Sequence, residues 1–449
     1  MVLNVIRRAF VLWWILLRYG TQWLFQRERR AATLRTAFER LGPTYLKLGQ
    51  IIASSPGLFP KPYVEEFQKC LDRVPPFAFA DVKRIVGEEL GRPTETVFSS
   101  IEEAPLAAAS IAEVHAARLI DGSDVVIKVQ RPGIRERVDA DLWFMKKLAW
   151  AAEKLFVNAR LANATGVVAD FDVTIHEELD FTVEGRNMDE FNSLMVKHDM
   201  AGLICAPKVH WDATAKRLLT MERFYGFKAD DVAKFRENDL DPEKWLRIGM
   251  RGWNLTMLLH GFFHGDVHAG NLMFLPAAGK IGFIDFGIVG RFDRQQRMQV
   301  LRYILSFNSQ DYAELAKVMI EMGAVPKGVD TVRLAKDLGD VYSPLLSRAL
   351  SEIEYGRVLP DIVANSRKHG ITMPREFVLI LKQLLYFDRY AKLAAPSLNV
   401  FNDFYLIDFL FTPAAAESGI DMNQIMALLM TIQQSAARQA AASEAANPA

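Results

Sequence analysis

Apolar and polar positions alternate with different periods along the chain, and each change of period marks an element. An unbroken apolar run, Ala9 to Leu17, comes first, with Trp13, Trp14, Tyr19, Trp23 and Phe25 in or beside it and Arg7, Arg8, Arg18, Arg29 and Arg30 around it. The run is far shorter than the roughly 20 residues a hydrocarbon core requires. At 100° per residue Asn4, Arg7, Arg8, Arg18, Gln22 and Arg29 fall on one side, interrupted by Val11 and Ile15. Residues 1–30 are therefore expected to form an interfacial amphipathic helix with an aromatic belt and a basic rim. A helix packed on the protein's own core is the competing expectation, while the lack of a small-residue cleavage site disfavours a secretory signal.

Residues 31–95 read as helical, broken at Pro43, Pro56, Pro60, Pro62, Pro75 and Pro76. The pattern then changes to strand: Val125-Val126-Ile127-Lys128-Val129 follows an Asp121-Gly122 turn, and Lys216 to Arg223 runs into a polar linker. Between these lies a stretch from Asn163 to Phe191 that reads as one long helix. Trp245 to Gly261 is an amphipathic helix with Ile248, Leu255, Leu258 and Leu259 at helical spacing. Leu272 to Leu275 and Ile281 to Ile284 flank Pro276-Ala277-Ala278-Gly279 as strand, turn, strand. Beyond Arg291 the chain reads as helical to about Gln434; its most apolar run, Phe377 to Phe387, is interrupted by Lys382 and Gln383. No C-terminal stretch reaches spanning length, and the tail from Ala436 is low in complexity and expected to be disordered. The divisions that follow are 1–30, 31–95, 96–222, 223–330 and 331–449.

Composition narrows the picture only modestly. Half of the 449 residues are hydrophobic, enough for a large core, and 54 basic residues balance 54 acidic ones. A zero net charge gives no global reason to expect a nucleic-acid partner. The two cysteines, Cys70 and Cys205, can build neither a disulfide framework nor a thiolate metal site, which points to a reducing compartment.

The candidate chemistry is concentrated in His264-Gly265-Asp266-Val267-His268-Ala269-Gly270-Asn271 and, shortly after, Ile284-Asp285-Phe286-Gly287. A carboxylate, an amide five residues on and a second carboxylate before a Phe-Gly turn suit phosphoryl transfer. In protein kinases such a loop Asp orients or deprotonates the acceptor, and the Asn and second Asp hold Mg²⁺. The two histidines could instead hold zinc or a non-haem iron. The strand-turn-strand between Asn271 and Ile284 favours the kinase arrangement, in which a hairpin links catalytic loop to metal-binding turn.

A second stretch has the register of a kinase phosphate-covering loop, with alanine where glycine is usual: Ala107-Ala108-Ala109-Ser110-Ile111-Ala112-Glu113-Val114. Small residues let backbone N–H groups approach phosphates, but each Cβ removes the open conformations of glycine. A stiffer, closer loop with altered nucleotide preference is expected. Lys128 is a cation inside an apolar strand, a costly placement without a partner. Glu178 and Glu184, six apart on the expected long helix, would point about 120° from each other. One could pair with Lys128 and the other with a group outside the lobe. Backbone near Met221, Glu222 and Phe224 occupies the position of a nucleotide-binding hinge.

Together Lys47-Leu48-Gly49-Gln50, the alanine-rich loop, Glu178-Leu179-Asp180 and the loop His264 to Asn271 resemble the UbiB (AarF-type) family of atypical kinase-like proteins over roughly residues 35–330. The resemblance implies an α+β, two-lobed protein-kinase-like fold with helical extensions, an ATP (or ADP) site using Mg²⁺, and a role in isoprenoid quinone (ubiquinone) biosynthesis at a membrane. It implies that Leu106, Ala107, Ala108, Ala109, Ser110, Ile111, Ala112 and Val114 bind nucleotide with Lys128, and that Met221, Glu222 and Phe224 bind the base. Glu184 would pair with Lys128, Asp266 would be the catalytic base, and Asn271 and Asp285 the metal ligands. Lys47, Gly49 and Gln50 would lie over the site as a gating extension, Lys47 near Glu178, with Asp180 in the same acidic motif. That extension blocks the groove a protein substrate needs, which implies ATPase activity or a small-molecule or lipid acceptor.

Expected partners are membrane lipids or quinone precursors and quinone biosynthetic enzymes, at the cytoplasmic side of an inner or plasma membrane. Two departures from the family pattern are read: Ala269 stands where proline is usual, and no C-terminal stretch reads as the membrane-crossing helical pair that bacterial ubiquinone-type members often carry, so membrane attachment would be expected to fall to the N-terminal helix. A non-catalytic nucleotide-sensing scaffold is the alternative function. An ordinary protein kinase fits least, because Gly265 replaces the Arg of His-Arg-Asp and no Ala-Pro-Glu follows Asp285.

Overall fold

The structure, a computed structural model, describes residues 2–53, 61–67, 69, 75–156, 160, 163–326, 328–346, 368–371, 377, 380, 383, 387 and 403–420. The chain divides into two compact units: Met1–Asp189 with Pro207–Arg223, and Glu190–Ala206 with Phe224–Ala449.

The first unit begins with helices α1 (Val2–Phe25), α2 (Arg30–Leu41), α3 (Pro43–Ala53), α4 (Lys61–Phe67) and α5 (Phe79–Leu90). Gly42, at φ +89°, ends α2, and Pro43 supplies a first helical residue whose missing N–H costs α3 nothing. Helix α1 packs one face on the protein's own core, the competing expectation of the sequence, and leaves an apolar face exposed. Leu12 and Ile15 are buried, and Arg8 grips the buried Asp141 through Nε at 2.5 Å and Nη2 at 2.8 Å. On the opposite face Phe10, Trp13, Trp14 and Leu17 are 70%, 61%, 55% and 54% exposed. That i, i+3, i+4, i+7 spacing is an apolar stripe facing outward.

The sheet of this unit is antiparallel, in the order β1 (Phe98–Ile101), β3 (Ala112–Leu119), β4 (Asp124–Gln130), β6 (Leu218–Glu222), with β2 (Ala107–Ala108) paired to β3. Strand side chains alternate between faces. Val125, Ile127 and Val129 of β4 are fully buried in one core with Val82, Ile85 and Val86 of α5, which sends Lys128 to the other face. Helices α6 (Ile134–Leu155), α7 (Ala164–Glu178) and α8 (Phe181–Lys197) follow β4 in sequence.

One correction arises here. The expected long helix from Asn163 to Phe191 is two helices, broken at Leu179 and Asp180. The Asp180 carboxylate accepts from the backbone N–H of Thr182 (3.1 Å) and from its hydroxyl (2.6 Å), capping α8, while Leu179 C=O accepts from Gln130 Nε2 at 2.9 Å. A capping carboxylate satisfies N–H groups that a continuing helix would have paired internally, so the chain restarts there. The 120° relation between Glu178 and Glu184 does not survive the break.

In the second unit a four-stranded sheet runs β5 (Ile204–Cys205), β10 (Lys280–Phe283), β9 (Leu272–Leu275), β7 (Phe227–Lys228). The pair β9–β10 is the expected hairpin, turned at Gly279. Strand β5 joins β10 in parallel, a pairing the sequence did not announce. Helices α9 (Val232–Glu237) and α10 (Pro242–His260) precede β8 (Phe262–His264), which pairs with β11 (Val289–Arg291). Helix α10 ends at Gly261, φ +68°, where a Cβ would come within 2.1 Å of Phe292 C=O, so only glycine makes this entry to β8. Then come α11 (Arg294–Asn308), α12 (Tyr312–Glu321), α13 (Thr331–Leu346) and the short α14 (Pro413–Glu417). Phe377, Ile380, Gln383 and Phe387 are helical and buried. The tail from Ala436 and Cys70 lie outside the described residues. Among the described residues no helix is long and apolar enough to cross a membrane.

Candidate nucleotide and catalytic site

In the first unit the alanine-rich segment forms a tight hairpin. Ala107 pairs with Val114 and Ala108 with Glu113, Leu106 N–H donates to Val114 C=O at 2.7 Å, and Ala109 N–H to Ala112 C=O at 2.8 Å. Ser110, Ile111 and Ala112 are buried, whereas Leu106, Ala107 and Ala109 face outward. Arg131 braces the turn from behind: its Nε donates to Ala109 C=O at 2.9 Å and its Nη1 to Pro75 C=O at 3.1 Å. The wholly buried Glu113 accepts from Phe77 N–H at 2.7 Å and lies 3.4 Å from Arg131. The segment around Pro75 and Phe77 is thus tied to this hairpin through two side chains that no motif had singled out.

Lys128 sits in β4 between Val114 of β3 and Leu219 of β6. Its ammonium donates to both oxygens of Glu184, at 3.0 and 2.8 Å, and lies 5.4 Å from the centre of the Phe181 ring. Glu184 is 4% exposed, so the fork and the aromatic face together offset the desolvation of this pair.

Lys47, on α3, reaches the other acid: its ammonium is 2.8 Å from Glu178 Oε2. Both Glu178 oxygens are buried without a hydrogen bond of good angle, so the ion pair is what compensates them. Gly49, in the same turn of α3, admits the Phe67 ring, which a Cβ would approach to 2.7 Å. Gln50 is half-buried one residue further. Asp180, grouped with Glu178 in the sequence, has a different job, the cap of α8. Met221 and Glu222 end β6 opposite Val126 and Val125, and Glu222 N–H donates to Lys208 C=O at 2.8 Å. Phe224 opens the next segment of the second unit, its ring packed where a Cβ on Gly282 would stand.

In the second unit the loop after β8 is organised by His264, which is buried. Its Nδ1 accepts from Asp266 N–H at 3.1 Å and its Nε2 meets Ile284 C=O at 3.0 Å, so Nε2 carries the proton. Burial holds this imidazole below its usual pKa, in keeping with a neutral tether. One ring therefore joins the backbone of Asp266 to the residue before Asp285. Both nitrogens being engaged, His264 cannot ligate a metal, which removes the two-histidine alternative. His268 Nδ1 accepts from Gly270 N–H at 2.9 Å, and its Nε2 is 3.6 Å from Asp266 Oδ2.

Asn271 donates from Nδ2 to Asp266 C=O at 3.0 Å, which presents its amide oxygen as the atom available to a cation. Asp285 is exposed and held at φ +62°, in the left-handed region that aspartate tolerates better than most residues. Phe286 fixes that conformation: it is fully buried, with ring centres of His264 at 4.8 Å and Phe191 at 5.1 Å. Backbone strain kept by packing is a mark of functional turns. Among the described residues no cluster of three His, Cys, Asp or Glu side chains is arranged for a metal. A Mg²⁺ shared with nucleotide phosphates needs none, since one or two protein oxygens suffice beside the phosphates.

Gln383 was noted in the sequence only as a break in an apolar run. Its side-chain oxygen accepts from Val267 N–H at 2.5 Å and its nitrogen donates to Gly265 C=O at 2.6 Å. A signal was available, because at helical spacing Gln383 falls on the side of Ile380 and Phe387.

A lysine–glutamate pair on an antiparallel sheet, and an Asp–Asn loop hairpin-linked to an Asp-Phe-Gly turn, define a kinase-like protein. Comparison with known proteins agrees: residues 69–319 match the ABC1 atypical kinase-like domain and residues 338–399 the UbiB helical domain. The chain belongs to the UbiB (AarF-type) family of atypical kinase-like proteins. It is 39% identical to a chloroplastic aarF domain-containing protein kinase of Arabidopsis thaliana, over 82% of this chain and 73% of that one. It is 33% identical to a protein of Pseudomonas fluorescens named "probable protein kinase UbiB", over 87% and 74% of the two chains. A Mycobacterium tuberculosis protein solved with erythromycin shares the fold, with a TM-score of 0.56 and 24% identity over 81% of this chain and 92% of that one.

Proposed function

We propose that this protein binds ATP with Mg²⁺ and turns it over as an ATPase or a kinase of a small molecule or lipid, in support of isoprenoid quinone biosynthesis at a membrane. The observation that carries the reading is the loop in which Asp266, Asn271 and Asp285 are oriented together through His264 and the Asn271 amide. Bound Mg²⁺ would neutralise phosphate charge. Asn271 and Asp285 would hold it, Lys128 would contact phosphate, and Asp266 would accept the proton of the attacking hydroxyl or water. The quinone role is supported by the UbiB name of the relatives, and a non-protein acceptor by the Lys47 extension.

The reading is tested by melting the protein with nucleotide, with and without Mg²⁺, beside a turnover assay. A ligand at 100 times its dissociation constant stabilises by about 2.7 kcal/mol, a plain shift in melting temperature. Wild type should show a metal-dependent shift and turnover. Asp285→Asn should lose the metal-dependent part, and Asp266→Asn should keep the shift and lose turnover. Undiminished turnover in Asp266→Asn would overturn the catalytic assignment. A second reading, a nucleotide-sensing scaffold, draws on the Lys47–Glu178 ion pair, which can hold a conformation without any chemistry. Rescue of a quinone defect by Asp266→Asn would favour it.

A further inference from the structure

The backbone on either side of Asp266 is held by side chains at every polar group. His264 accepts its N–H, Asn271 donates to its C=O, and Gln383 takes the two groups beyond, Gly265 C=O and Val267 N–H. The first two holders belong to the loop itself. Gln383 lies more than a hundred residues away in sequence, within the region matching the UbiB helical domain. It is completely buried, on the same helical side as the buried Ile380 and Phe387. Phe387 stacks edge-on against Trp253 of α10 at 5.6 Å, and Phe377 lies 6.2 Å from Phe292.

We propose that Gln383 is a positioning residue for Asp266, through which the C-terminal helical domain sets the geometry of the catalytic loop. The inference rests on the reading of Asp266 as the catalytic carboxylate. Its physical basis is that only the φ and ψ rotations of Asp266 lie between Gly265 C=O and Val267 N–H. A single primary amide that accepts from one and donates to the other fixes both rotations, and with them the direction of the Cα–Cβ bond that carries the Asp266 carboxylate. Glutamine suits the task because its amide offers an acceptor and a donor side by side. Leucine or methionine would fill the same space on the apolar face and leave a buried N–H and C=O unpaired. The bracket extends to the metal side, because Asn271 is oriented by the C=O of the same Asp266. A side chain that contacts no substrate thus aligns the base and a metal ligand together.

The test uses the full-length protein with Gln383→Met, which keeps the bulk and loses both bonds, and Gln383→Glu. Steady-state turnover is measured with hydrogen exchange of peptides covering residues 262–272. Gln383→Met should lower kcat by about tenfold or more while KM for ATP stays within about twofold, the signature of lost alignment rather than lost binding. Its exchange should quicken in residues 262–272 and not across the rest of the unit. Gln383→Glu can make both bonds only as the neutral acid, which burial favours. Its kcat relative to wild type should rise as the pH is lowered, a response that mere packing would not give. Unchanged kcat and exchange in Gln383→Met would overturn the inference. So would exchange loosened throughout the unit with kcat and KM altered together, and so would a Gln383→Glu variant without the pH response. If wild type itself turns over no ATP, the proposed function fails instead. The inference is then decided by exchange and by the Mg²⁺ concentration at which nucleotide raises the melting temperature: local loosening with a higher Mg²⁺ midpoint upholds it, and no change in either overturns it.

Discussion

At the scale of single residues, two imidazoles of the second unit face each other, His198 Nε2 and His260 Nε2 being 2.7 Å apart. Such a pair is bonded when one facing nitrogen carries a proton and the other accepts it, and protonating the accepting nitrogen as well would set donor against donor and break the bond. Burial, then His198, Lys197 and Arg297, lower the His260 pKa to about 4, and burial followed by Lys197 lowers that of His198. The sign follows from linkage: the unfolded chain binds a proton near pH 6.5, whereas folded His260 resists it until about pH 4. The contribution to stability is complete above pH 6.5 and is lost as the pH falls toward 4. His260→Asn removes that loss, so the melting temperatures of wild type and variant should converge between pH 7 and 5. A gap independent of pH would show that His260 titrates alike in the folded and unfolded states.

Among the elements, α3 and α7 are joined by Lys47 and Glu178, whose side chains are 21% and 5% exposed. Removing one partner of a buried pair strands the other, at a cost of about 3–5 kcal/mol when burial is complete and less here, where the lysine is partly solvated. Lys47→Met and Glu178→Gln should each lower the denaturant midpoint, and the double variant should be more stable than the sum of the two losses predicts. A coupling of about 0.5–3 kcal/mol is the range for residues in contact, and additivity within about 0.3–0.5 kcal/mol would mean the ion pair adds nothing to the junction. Elements of this kind also mark where the sequence stopped being legible. Lys128, Asp266, Asn271 and Asp285 could be read because a charge inside an apolar strand, or polar groups at fixed short spacings, seldom serve packing alone. The break at Leu179 and Asp180 could not, since helical periodicity runs through it and the interruption depends on Gln130 and Thr182, one of them in another element. Strand β5 was invisible because two residues show no period. Gln383 was hidden because its partners are backbone groups, which leave no trace in side-chain spacing.

At the scale of the whole molecule, α1 presents an exposed apolar face. The sequence offered a membrane helix or a core helix; Arg8, Leu12 and Ile15 are committed to the fold, as a core helix requires, and Phe10, Trp13, Trp14 and Leu17 point outward. With 54 basic and 54 acidic residues the protein has no net charge to draw it onto an anionic surface. Lipid binding would therefore depend on apolar insertion, in which large side chains contribute about 1.5–3 kcal/mol each when fully buried. Arg18 and the tryptophans suit the headgroup boundary, where an apolar body and a polar edge are both accommodated. Trp13, Trp14 and Leu17 are each more than half exposed, and replacing exposed residues with serine changes stability by roughly 0.5 kcal/mol or less each. The triple variant should melt as wild type does and fail to sediment with phospholipid vesicles that carry wild type down. Salt should alter wild-type binding little, because insertion rather than charge holds it. Equal sedimentation of the two proteins would assign the outward face of α1 to something other than lipid, and a strong salt dependence would transfer the membrane contact to basic residues elsewhere on the chain.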